Sequence, residues 1–248
     1  MTGQTVRVLT AFGRNDLRGT YRDPLLVMIV LAPVIWTAAV AVTTPLVTRM
    51  LAERYDLDLV PYYPLVLTAF LLLTSIIVTG GLAALLVLDE VDAGTLSALR
   101  VTPVPLSGFF AYRAGTVIVL TAIYVVATLS FSGILAPGLA LPLIPIGVLA
   151  GLSAVVTLLM IVAVANNKIQ GIAMVRALGM LIAGLPSLAW FVDSGWNLAF
   201  GVLPPYWAAK AFWVAAAHGT WWPYLLVGVV YNLGVGWLLF RRFRAHHA

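Results

Sequence analysis

The chain has 248 residues, of which 62% are hydrophobic and only 9% charged. Soluble domains run near about 45–50% apolar and about 25% charged, so this chain has too few polar groups to cover a water-facing surface, and its hydrophobicity excludes disorder. The net charge of +5, from 14 basic and 9 acidic residues, is too dilute for a nucleic-acid surface, and the lack of cysteine excludes disulfides, thiolate metal sites and cysteine nucleophiles.

Residues 1–24 read as an amphipathic helix. Val6, Leu9, Gly13, Leu17 and Tyr21 share one face, with Arg7, Arg14 and Arg18 on a flank about 100° away. Such a helix lies in the cytoplasmic interface with its arginines reaching lipid phosphates. A short solvated lead-in is the simpler alternative. Asp23-Pro24 ends the segment.

A spanning helix needs about 20 apolar residues to cross a hydrocarbon core about 30 Å thick. Stretches 25–47, 64–88, 114–136, 139–165, 172–192 and 222–240 qualify. The first is longer than a signal-peptide core and is not followed by a small-residue cleavage site, so it is expected to be retained. Trp36 in the first span, with Phe70, Thr74 and Ser75 in the second, forms a candidate cavity for an amphipathic substrate. Gly80-Gly81, and Gly147 and Gly151 at GxxxG spacing, suit close helix packing.

Loop 89–113, between the second and third spans, opens on Asp89, Glu90 and Asp92. Leu96, Leu99 and Val101 form one apolar side of a short helix, which Thr102-Pro103 ends. Acids near its start favour the helix N-terminus. By residue type alone, a docking helix and an ordinary solvated loop fit equally. Further on, Asn166-Asn167-Lys168 reads as a polar turn, and Arg176 snorkels from the fifth span.

Stretch 198–217 is long enough to span, but Pro204-Pro205 interrupts it and Lys210 sits in its second half. Charge decides between the readings. With six spans and both termini cytoplasmic, eleven basic residues lie inside and three (Arg49, Arg54, Lys210) outside. A seventh span would carry the C-terminal arginines outward and spoil that bias. The stretch is therefore expected to be a broken, re-entrant or interfacial segment on the outer face, tolerated at membrane depth only where protein or water satisfies its backbone. Asp193, Pro204, Pro205 and Lys210 make a candidate outer gate. Trp221, Trp222 and Tyr224 suit an interfacial belt, and Asn232 an interhelical hydrogen bond in the last span.

The fold expected is thus an all-α polytopic membrane protein. Its six transmembrane helices run N-in/C-in, with an interfacial helix at 1–24 and a single transmembrane domain over 25–248. Glu90, Gly94-Thr95-Leu96, Leu99 and Thr102-Pro103, placed just after the second span, resemble the signature loop of type-2 ABC transporter permeases. Arg22-Asp23-Pro24 and Pro204-Pro205-Tyr206-Trp207 are weaker matches to the same family, and the overall look is similar to actinobacterial permeases described as fluoroquinolone exporters.

That resemblance implies a coupling helix seated in a cleft of a separate cytoplasmic ATPase. Glu90 would orient the loop, Gly94 permit its turn and Thr95 hydrogen-bond locally. Leu96 and Leu99 would fill the partner's pocket, and Pro103 would stop the helix. Many family members carry a basic residue inside the acidic pair, where this chain has Val91. The chain itself lacks a G-x-x-x-x-G-K-[ST] loop, so ATP and magnesium would be bound by the partner subunit, with no cofactor or metal here. Two permease copies, identical or related, are implied with two ATPase subunits.

The expected function is the permease subunit of an ATP-driven exporter that moves a hydrophobic or amphipathic small molecule across the bacterial cell membrane. A membrane-embedded lipid-modifying enzyme would need catalytic residues clustered at membrane depth. His218, His246 and His247 instead lie outside the spans or at the tail. An ion-coupled carrier needs intramembrane carboxylates, and of the nine acids only Asp193 reaches even a span's edge.

Overall fold

The computed structural model describes residues 24–94, 106–192 and 194–247, which contain helices and connections but no strand. Among the described residues, six helices are long and apolar enough to cross a membrane. They are α1 (Pro24–Tyr55), α2 (Val60–Asp92), α3 (Leu106–Phe131), α4 (Ala140–Val164), α5 (Lys168–Leu188) and α7 (Trp222–His247). Between the last two lies a short helix, α6 (Tyr206–Ala216). Several run past the apolar stretches that mark them, because a helix keeps its backbone paired while it emerges into the interface. The amphipathic segment 1–23 falls outside the described residues.

The bundle is built around two helices. Across their most apolar stretches α2 and α4 are 78% and 72% buried, against 11–28% for the other four spans. The outer helices present Met28, Val34, Val119, Met180 and Val230 outward, as lipid-facing surfaces do. Without a hydrophobic drive between helices in lipid, close approach at small residues holds such a bundle together. A Cβ placed on Gly151 would lie 2.7 Å from the Ile118 Cα, and one on Gly80 would lie 2.6 Å from the Ala154 carbonyl oxygen. The GxxxG spacing on α4 is therefore the seam with α3.

Polar side chains inside the bundle are spent locally. Thr37, Ser75, Thr128 and Thr157 each donate to the carbonyl one turn earlier. Others join helices: the Thr79 and Thr121 hydroxyls hydrogen-bond at 2.7 Å between α2 and α3, and the Tyr124 hydroxyl donates to the Val30 carbonyl just before Pro33 of α1. α2 is irregular near its start, with a π turn over Thr68–Leu72.

Phe110 at the start of α3 meets Phe240 near the end of α7, and Leu26 of α1 packs with Leu82 and Leu85 of α2. The chain therefore enters and leaves the bundle at the end that carries Asp89–Asp92. This acidic end is the one the arginine bias reads as cytoplasmic.

Candidate functional site

At the acidic end the structure describes Glu90 and Gly94. Thr95, Leu96, Leu99, Thr102 and Pro103 lie outside the described residues. Gly94 closes α2 with φ of +70°, the left-handed conformation that a helix end commonly uses and that costs a residue with a Cβ about 1 kcal/mol. Its amide donates to the Val91 carbonyl.

The three acids reach neighbouring helices, Glu90 from a largely buried position and Asp92 from an exposed one. Glu90 Oε1 accepts from Arg113 Nη2 of α3 at 3.2 Å, with the Arg113 side chain 3% exposed and that of Glu90 15%. The Arg113 guanidinium also lies over the Phe109 ring, 5.4 Å from its centroid. Asp89 Oδ2 accepts from Lys168 Nζ at 2.9 Å, and Asp92 Oδ2 accepts from the Lys168 backbone N–H at 3.1 Å. Asp92 thus serves an open amide at the start of α5, where negative charge is favoured. Asn167 completes that start by accepting from the Gln170 amide.

The last turn of α2 is thereby tied on one side to α3 and on the other to α5. The sequence counts Arg113 only toward orientation and reads Lys168 as part of a polar turn, with no acidic partner for either. The available signal was a lone arginine within two turns of the start of an apolar helix, facing a loop that opens on acids. A buried arginine at such a place needs a carboxylate.

At the other end the stretch 198–217 is broken. A 3-10 helix spans Gly195–Val202, the chain bends through Leu203–Pro205, and α6 follows. Eleven residues make a helix about 16 Å long, too short to cross. The bend is held by the spans. The Pro204 carbonyl accepts from Ser153 Oγ at 3.1 Å and from Asn232 Nδ2 at 3.4 Å, and the Val202 carbonyl accepts from the Tyr231 hydroxyl at 2.6 Å. Ser153 and Asn232 lie 13 and 10 residues from the first residues of α4 and α7, which places the bend about 15–20 Å inside the bundle. Backbone freed at that depth needs protein partners, and these side chains supply them.

α6 itself is buried along Tyr206, Ala208, Phe212 and Trp213, and the Trp213 indole donates to Thr68 Oγ1 at 2.7 Å, in the π turn of α2. Of the four candidate gate residues, Pro204 and Pro205 shape the bend and Asp193 lies outside the described residues. The Lys210 ammonium lies over the Tyr224 ring, 5.8 Å from its centroid, and burial holds its pKa below the ordinary lysine value.

The candidate cavity residues separate. Trp36 of α1 and Phe70 of α2 come together with ring centroids 6.0 Å apart, each a little under half exposed, at the π turn. Thr74 is partly buried and donates to the Ala69 carbonyl. Ser75 is fully buried with its hydroxyl on the Leu71 carbonyl, because the helical turn carries it to the inner face, so it does not line the surface that Trp36 and Phe70 share.

Comparison with known proteins places this architecture. Residues 16–240 match the family model described as "Fluoroquinolones export permease protein Rv2686c-like". The chain is similar to two proteins named fluoroquinolones export permease protein, Rv2686c of Mycobacterium tuberculosis strain ATCC 25618 / H37Rv and MT2760 of strain CDC 1551 / Oshkosh. Each is 78% identical over 242 residues, covering 98% of this chain and 96% of the relative.

Proposed function

This chain belongs to the Rv2686c-like family of fluoroquinolone export permeases and is a multi-pass export permease of the cell membrane, and from that premise we propose that it is the membrane subunit of an ATP-driven ABC exporter. A separate cytoplasmic ATPase supplies the energy and holds ATP and magnesium. Its cleft receives loop 95–105, with Leu96 and Leu99 as the apolar contacts and Thr102-Pro103 closing the docking helix. A second permease copy, identical or related, completes the pathway. Residues 1–24 lie along the cytoplasmic interface.

The observation that carries this reading is the clamp at the acidic end. Glu90–Arg113 and Asp89–Lys168 bind the root of the loop to α3 and α5. ATPase closure against the loop would then move α2, α3 and α5 as a unit. The bend at Leu203–Pro205, held by hydrogen bonds from α4 and α7, closes the outer end as a gate. The cargo is an amphipathic aromatic molecule of the fluoroquinolone kind, as the relatives' names suggest. The half-exposed Trp36–Phe70 pair offers planar rings an offset stacking surface.

The test is co-purification followed by reconstitution. The chain is expected to retrieve an ATP-binding subunit whose hydrolysis rises with added fluoroquinolone. Replacing Leu96 and Leu99 together by Asp should abolish that rise and the export, with membrane insertion unchanged. A chain that purifies alone and exports without nucleotide, or one that exports normally with both leucines replaced, overturns the proposal.

A further inference from the structure

α2 departs from regular helix beside the Trp36–Phe70 pair. Over Thr68–Leu72 it makes a π turn, in which the Thr68 carbonyl accepts from the Leu73 amide five residues on. The Ala69 carbonyl accepts from the Thr74 hydroxyl at 3.4 Å. Such a turn is rare, occurs mostly singly inside α-helices and is frequent at functional sites. Phe70 sits in the middle of it, 46% exposed, with its ring centroid 6.0 Å from that of Trp36.

α6 grips the start of this turn. Thr68 is fully buried, and its hydroxyl accepts from the Trp213 indole N–H at 2.7 Å while donating to the Pro64 carbonyl at 2.7 Å. Trp213 is 6% exposed, and Trp190, just beyond α5, meets its ring edge-on with centroids 5.3 Å apart. The indole is therefore packed in one orientation. A buried N–H without its acceptor is costly, so this hydrogen bond fixes the first residue of the turn to α6. α6 in turn follows directly on the bend at Leu203–Pro205.

We infer that Thr68 and Trp213 are positioning residues for the cargo: their hydrogen bond sets the π turn that presents Phe70 to Trp36, so the stacking surface is complete only while α6 is seated on α2. The inference rests on the reading of that pair as the cargo surface. The position of Phe70 is nevertheless readable without cargo, ATP or a partner, so the two fail separately.

The test is 19F NMR on the full chain in nanodiscs, with 4-fluorophenylalanine in place of Phe70. The Trp36 ring current displaces its resonance, and Trp36→Leu gives the undisplaced reference. Thr68→Val keeps the side-chain shape and loses the acceptor. Trp213→Phe keeps a ring against Trp190 and loses the donor. Both are expected to move the resonance toward the Trp36→Leu position, and Thr68→Ser to leave it where the wild type has it. Trp213→Phe strands no donor and serves if Thr68→Val does not fold. Val162→Ala, which opens core space at the acidic end, should lower the unfolding midpoint without moving the resonance. Norfloxacin, a fluoroquinolone, titrated into the same samples should bind about two- to tenfold more weakly to the two variants, the worth of one ring stack.

A resonance that stays at the wild-type position in both variants overturns the inference, as does one that Val162→Ala moves equally. A resonance that moves, with norfloxacin bound equally by wild type and Trp36→Leu, keeps the positioning and removes the pair from the cargo path.

Discussion

Removing Glu90's charge by Glu90→Gln leaves the Arg113 guanidinium buried at 3% exposure beside a neutral amide. Breaking one side of a buried ion pair costs about 3–5 kcal/mol, because the remaining charge is desolvated without compensation. Glu90 is 15% exposed, so solvent screens part of its 3.2 Å contact with Arg113 and the lower end, about 3 kcal/mol, applies. Arg113→Met should cost a similar amount. The double variant removes both charges of the pair and should lose less than the two single losses added, which makes the two effects non-additive. Unfolding in nanodiscs, followed for wild type, both single variants and the double, closes this cycle. Export measured in parallel should fall in all three variants, since the tie from the loop to α3 is cut even where stability returns. Additive losses in the cycle, or full export in the double variant, would refute the clamp.

Gly151→Leu should destabilise the bundle by about 1–3 kcal/mol, since even its Cβ meets Ile118 backbone at 2.7 Å and α3 must be pushed from α4; the unfolding midpoint measures it. Lys210 has a folded pKa lowered by burial from 10.5, so the folded state disfavours its protonated form. Folding stability contributed by this group therefore rises as pH climbs from the lowered pKa toward 10.5, and Lys210→Met should abolish that rise in thermal unfolding across the alkaline range. A cysteine replacing Thr220, the residue before the interfacial tryptophans, should be labelled by an impermeant maleimide from outside the cell. Labelling only from the cytoplasmic side would reverse the orientation drawn from the arginines.

Much of the architecture is legible in the chain alone, because lipid imposes a single strong rule. Backbone must be paired internally, so about twenty apolar residues mean a helix, and six such stretches mean six spans. The interruption at Pro204-Pro205 is likewise readable, since proline lacks the amide a continuing helix needs. Gly147 and Gly151 announce a packing seam by spacing alone. Membership of the fluoroquinolone export permease family is legible too, in the overall look of the chain rather than in a single motif.

Other features depend on which helices become neighbours. Nothing local says which of the acids meets Arg113, 23 residues beyond Glu90, or that Asp89 meets Lys168 across 79 residues. Nor does the sequence place Pro204 between Ser153 and Asn232, or turn Ser75 inward while Phe70 faces Trp36. The lipid rule is one-dimensional: it counts residues along the chain and asks only whether each stretch can cross. Which faces then meet is decided by small-residue contacts and by the need of each buried charge and carbonyl for a partner. Those demands are met across the bundle, so only the assembled helices settle them.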